Sequence, residues 1–134
     1  MNINAEELDK ALAVLPGLFK FNEEEPFSQA ILAISEEALF VYNDHAPDQV
    51  SGDTFTYRVK VKIPLNSIDT IVEEQIIKQP ELAGLDRLGI LLRGETNTIY
   101  FYYFNEDKKS IKSFLSYLKR LKVSSVSRKV KLSA

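Results

Sequence analysis

The sequence predicts an α+β domain that is mainly β, capped by a C-terminal α-helix. Three observations predict this: two hairpin patterns, one long stretch of strict apolar–polar alternation, and a terminal apolar stripe at helical spacing. The chain has 134 residues, the size of one domain, and its 45% hydrophobic and 27% charged residues suffice for a core and a soluble surface.

The first predicted element is a short N-terminal helix within residues 1–16. Asn4 is a good cap, and Glu6 and Glu7 in the opening turn favour the helix dipole. Leu8, Ala11, Leu12 and Leu15 recur at helical spacing, and Pro16-Gly17 reads as a stop. At roughly ten residues such a helix is too short to stand alone, so it is expected to pack on the domain.

Strand signals follow. Leu18 to Phe21 is a brief apolar run ended by the acidic turn Asn22 to Pro26. Ala30 to Ile34 and Ala38 to Tyr42 flank Ser35-Glu36-Glu37, a hairpin pattern. Residues 43–53, with Pro47, Gly52 and three aspartates, read as a loop. Phe55, Tyr57, Val59, Val61 and Ile63 then alternate with Thr56, Arg58, Lys60 and Lys62, the mark of a half-buried strand with a basic outer face. Pro64 ends it. Ile68 to Ile77 is another apolar-rich run, and residues 78–87 form a loop around Pro80 and Gly84. Leu88 to Arg93 and Thr98 to Phe104 make a second hairpin, whose later arm holds five aromatic rings in a row. Rings on both faces imply that some of them leave the inner side of the sheet.

The last element is a helix from Asn105 to about Lys122. Asn105 is its predicted cap, and Ile111, Phe114, Leu115, Leu118 and Leu121 form its apolar stripe. After it the tail 123–134 loses helical periodicity and is expected to be mobile. The chain thus divides into an N-terminal helix (1–16), a main domain (17–122) and a basic tail (123–134).

Charge is distributed unevenly. Residues 1–107 carry all 19 acids and 8 of the 17 bases, whereas residues 108–134 carry the other 9 bases and no acid. Either the basic helix lies on an acidic sheet, or it meets an anionic partner: a lipid headgroup, a nucleic acid or an acidic protein.

Residues able to carry chemistry are scarce. With no cysteine and His45 as the single histidine, a metal or Ser-His-Asp site would need this loop histidine plus groups from elsewhere. Glycine-rich phosphate-loop motifs are absent. The groups Glu23-Glu24-Glu25, Glu36-Glu37 and Glu73-Glu74 read as solvated turn acids, since adjacent acids on a strand face opposite ways and are poorly placed to share a substrate. No catalytic, cofactor-binding or metal-binding residue is assigned, and the chain is not expected to be an enzyme. No run reaches the roughly 20 apolar residues of a transmembrane helix. The acidic, polar start lacks the pattern of a secretory leader, and the lack of cysteine fits a reducing compartment. The expected location is cytoplasmic, with peripheral attachment to the inner face of the membrane as the variant.

Two basic groups are candidate sites for an anion or a partner. Arg58, Lys60 and Lys62 form a row on one strand face about 7 Å apart, a spacing suited to phosphates. Lys119, Arg120 and Lys122 cluster at the end of the helix. The aromatic run could stack bases, but a core strand explains it, and nucleic acid is not an expected partner.

Three segments resemble the bacterial members of the pleckstrin-homology (PH) and GRAM families. Ile31 to Tyr42 is similar to their hairpin of an apolar strand, a serine–acidic turn and a leucine–aromatic strand. Ile63-Pro64-Leu65-Asn66-Ser67-Ile68 resembles their Ile-Pro-Leu-x-x-Ile segment, and the last strand running into a helix from Ile111 to Leu121 resembles their closing elements. The resemblance covers roughly residues 17–122. It implies a bent antiparallel sheet or partly open barrel of about seven strands capped by the C-terminal helix, to which the N-terminal helix is an addition. It also implies a binding module acting through protein–protein contact or self-association, with peripheral binding to anionic lipid through the basic helix and tail as the alternative. The family's phosphoinositide binders keep bases around their first two strands. This chain has Glu23-Glu24-Glu25 there, which argues against classical inositol-phosphate binding.

Overall fold

The computed structural model describes the backbone of residues 2–4, 11–20, 24, 26–42, 49–51, 54–77 and 80–131, and side-chain surroundings for these except 2–4 and 49–60. The strands are β1 (Asn2–Asn4), β2 (Ala13–Phe19), β3 (Ser28–Ile34), β4 (Ala38–Tyr42), β5 (Gln49–Ser51), β6 (Thr54–Pro64), β7 (Ile68–Ile77), β8 (Leu85–Leu92), β9 (Thr98–Phe104) and β10 (Ser125–Lys131). Helix α1 (Lys108–Arg120) lies between β9 and β10. The fold is mainly β with a C-terminal α-helix, as the sequence predicts, and that helix is the one α-helix among the described residues.

The strands form one sheet in the order β1-β6-β4-β3-β2-β9-β8-β7-β10, with β5 also on β6. Two antiparallel meanders, β2-β3-β4-β6 and β7-β8-β9, meet where Gly17 and Leu18 pair with Tyr103 and Tyr102. A Cβ at Gly17 would collide with the Tyr102 carbonyl oxygen and lie 2.9 Å from the Phe101 ring. Glycine is therefore what lets the meanders join.

The span predicted as an N-terminal helix is strand at both ends, Asn2–Asn4 and Ala13–Phe19, and irregular at residues 11–12; its central part, residues 5–10, lies outside the described residues. Leu15, Gly17 and Phe19 are buried while Val14 and Pro16 are exposed, so the period of two prevails over the helical spacing that Leu12 and Leu15 also satisfy. β9 pairs with β2 only at Gly17 and Leu18, which leaves Pro16 on an open stretch of that edge, where a strand tolerates proline.

Alternation along β6 holds where side chains are described: Ile63 is buried, Val61 half-buried and Lys62 exposed. The tight β3–β4 turn forms because Ser35 Oγ accepts from the N–H groups of Glu37 and Ala38. Residues 43–53 are not loop throughout, since Gln49–Ser51 pairs with β6.

Helix α1 buries Ile111, Phe114 and Leu118 and packs on β2 and β3. Its cap is Asp107 rather than Asn105: the Asp107 carboxylate accepts from Ser110 N–H at 3.1 Å and Ser110 Oγ–H at 2.7 Å. Those bonds hold the Asp107 carboxyl below its ordinary pKa. At the other end Val123 N–H donates to Leu118 O and Lys122 N–H to Lys119 O, a Schellman closure. Lys122 occupies its left-handed position (φ 65°), where glycine is the usual residue, and Val123 is buried beside the helix.

The tail also differs from expectation. Ser125–Lys131 is a strand and lies parallel to β7 in unbroken register from Ser125↔Ile71 to Lys131↔Ile77. Six of its seven residues are exposed, so no apolar pattern marked it as a strand. The backbone ladder, one ion pair and a Ser127–Glu73 side-chain hydrogen bond hold it.

A candidate interaction surface at the ends of the sheet

The predicted basic groups are brought together only in part. Arg58 and Lys60 lie on β6, with Arg58 in register with Asn2, but their side chains fall outside the described residues. Lys62 is exposed and places its Nζ 5.8 Å from the centre of the Phe40 ring. Lys119 and Arg120 are exposed on the last turn of α1, where the Arg120 guanidinium carbon lies 5.4 Å from the Tyr117 ring.

Lys62 and Lys122 line one cleft of about 610 Å³, joined by Arg93, Glu36, Glu37 and Asp69. Backbone bonds fix its walls. Leu65 N–H donates to Glu37 O and Arg93 N–H to Ser67 O, both at 2.9 Å, while Thr70 Oγ1 donates to Ser124 O at 3.2 Å. None of these six charged side chains makes an ion pair with a described residue. The cleft presents both signs, so it does not resemble a phosphate cradle, which needs a surplus of donors. Sequence reasoning missed Arg93 and the three acids because they come from three separate places, the β3–β4 turn, the start of β7 and the turn after β8.

A second missed constellation holds β10. Glu74 is fully buried and uses both carboxylate oxygens: Oε1 accepts from Arg87 Nε at 2.9 Å and Oε2 from Arg128 Nε at 2.7 Å. Arg87 Nη1 also donates to Tyr102 Oη at 3.2 Å, and its guanidinium carbon sits 4.0 Å from the Tyr100 ring centre. Burial lowers the Arg87 pKa, but Tyr102 and Glu74 outweigh it and hold the group above its ordinary value. Gly89 packs against this group: a Cβ there would be 3.3 Å from the Tyr100 ring and from Thr98 Cγ2, and 3.4 Å from Glu74 Oε1. One residue back, Glu73 accepts from Tyr103 Oη at 3.4 Å and from Ser127 Oγ at 3.0 Å. Burial, then the Glu73 and Asp86 carboxylates, push the Tyr103 phenol well above its ordinary pKa. The available signal was Glu74 itself, an acid in the row Val72, Glu74, Ile76 whose neighbours are apolar.

The described part of the sheet does not neutralise the basic helix. Of the 9 bases in residues 108–134, only Arg128 forms an ion pair with a described residue. At about 100° per residue, Lys108, Lys109, Lys112, Lys119 and Arg120 fall within roughly 120° of the α1 surface, opposite the buried stripe. Among the described residues no cluster of metal-ligating side chains is present, and no helix is long and apolar enough to cross a membrane.

No protein-family model matches the chain, and no curated protein does. Solved structures do resemble it, among them the hSac2 domain from the human phosphoinositide phosphatase Sac2. That domain superposes with a TM-score of 0.51 at 15% identity, over 93% of this chain and 79% of its own. At this identity the likeness concerns the fold.

Proposed function

We propose that the chain is a non-catalytic, PH-like binding module of the cytoplasm that works through protein–protein contact. The strand path supports the PH-like reading: a four-stranded and a three-stranded meander share one sheet, and the helix that follows the last meander strand packs on the first. The observation that carries the protein-contact reading is the mixed-charge cleft, with Lys62, Arg93 and Lys122 facing Glu36, Glu37 and Asp69. Such a cleft suits a polypeptide bearing both signs better than a phosphorylated headgroup. Self-association would use the same chemistry with a second copy.

Site-specific photo-crosslinking in the native host tests the reading, with the crosslinker at Asn66 beside the cleft or at Ser116 on the helix. Polypeptide adducts at Asn66 are the expected result. Light scattering on the purified chain then separates a second copy from another protein. Absence of any protein adduct at either position would overturn the reading.

A second reading, peripheral binding to anionic membrane, is favoured by the basic face of α1, which has no ion-pair partner among the described residues. At about 1 kcal/mol per basic residue near the surface, five such residues would give salt-sensitive binding to phosphatidylserine vesicles. Flotation that shows none would remove it.

A further inference from the structure

β10 ends the sheet. Among the described residues nothing pairs with its far side. Ile71 N–H donates to Ser124 O, and by the two-residue period of a parallel ladder Val126, Arg128 and Val130 turn their backbone groups toward β7. Ser125, Ser127, Lys129 and Lys131 therefore turn their N–H and C=O groups outward. The edge is straight and unbroken over 7 residues, without proline or bulge. Proteins ordinarily blunt so regular an edge, because it is a template for another strand.

This edge is filtered by charge. Arg128, Lys129 and Lys131 are basic, and Lys129 and Lys131 have no ion-pair partner among the described residues. Two copies of β10 side by side would bring Lys129 and Lys131 of each copy together across a strand spacing of about 4.8 Å, which disfavours self-pairing. The same charges favour an acidic strand. Val126 is 55% exposed on the opposite face from Lys129, so an incoming segment that alternates acidic and apolar residues would meet both faces.

We propose that the free edge of β10 is the docking strand for an extended acidic segment of a partner protein, which adds to the sheet with carboxylates against Lys129 and Lys131. This rests on the protein-contact reading and names the partner's chemistry and the surface that receives it.

The test titrates the full chain with a labelled peptide of alternating glutamate and valine, using a lysine–valine peptide as control. Amide hydrogen exchange is followed at Ser127 and Lys129. The expected result is binding of the acidic peptide only, with new protection at those two outward amides. Lys129→Glu with Lys131→Glu should weaken that peptide by at least roughly tenfold and admit the basic one. Ser127→Pro removes an outward donor while sparing the ladder to β7, and should block both peptides; exchange at Val126 and Val130 confirms that the strand stays docked. Absence of binding, or equal binding to the charge-reversed variant, would overturn the inference. Protection confined to α1 or the 610 Å³ cleft would overturn it too, yet leave the protein-contact reading standing.

Discussion

Helix α1 and strand β10 are neighbours in the chain and both are basic, yet they are held by opposite means. The helix is anchored by apolar side chains, with Ile111, Phe114 and Leu118 buried against the sheet. The strand contributes almost nothing to the core and is anchored by a backbone ladder, the Arg128–Glu74 pair and the Ser127–Glu73 hydrogen bond. Anchorage by packing is strong and written as a period. Anchorage by backbone and long-range polar contacts is weaker, more readily opened, and leaves no period to read. The second kind suits an element that receives a partner.

The largest expected effect breaks the helix side of this comparison. Phe114 is fully buried, and Phe114→Ala should cost about 3–5 kcal/mol in denaturant unfolding, with the whole domain losing stability together. On the strand side, Glu74→Ala leaves Arg87 largely buried without its carboxylate and should cost about 3 kcal/mol. Arg128→Ala should cost only about 1 kcal/mol, because its side chain is 58% exposed and its pair is partly screened. If the two variants lost equal stability, Arg128 would be as deeply integrated as Arg87.

A pH titration sharpens the same contrast. The Tyr103 phenol sits above its ordinary pKa in the fold, so above about pH 10 the unfolded chain releases a proton that the folded chain keeps. Stability contributed by this group is complete below that pH and is lost as pH rises beyond it. Tyr103→Phe should flatten the decline, measured by urea unfolding between neutral and strongly alkaline pH. The smallest effect lies at the hinge between the two elements. Lys122→Gly should stabilise the chain by about 0.5–1 kcal/mol, since glycine adopts the left-handed conformation without strain. A loss of stability there would mean that the Lys122 side chain makes a contact of its own in the cleft.

What was legible in the sequence follows the same division. The two meanders and the helix were written as apolar periods, and β6 and the β3–β4 hairpin lie where their patterns place them. The start of β2 was misread because Leu15 satisfies a helical spacing with Leu12 as well as an alternating one with Gly17 and Phe19. The space that Gly17 leaves for the Tyr102 carbonyl depends on a strand more than 80 residues away. The cap moved from Asn105 to Asp107 because Ser110 supplies two donors to the latter. Of the candidate site, Lys62 and Lys122 were foreseen separately but not as neighbours. Arg93 and the Glu74–Arg128 pair were not foreseen, since residues 54 positions apart show no local sign of contact.

Native-state amide hydrogen exchange across residues 125–131 tests the central claim, a docked C-terminal strand with one free edge, most directly. Slow exchange at Val126, Arg128 and Val130 alternating with fast exchange at Ser127 and Lys129 is the predicted result. Uniformly fast exchange would return the segment to a mobile tail, and protection at Ser127 and Lys129 in the free protein would show that the edge is already covered.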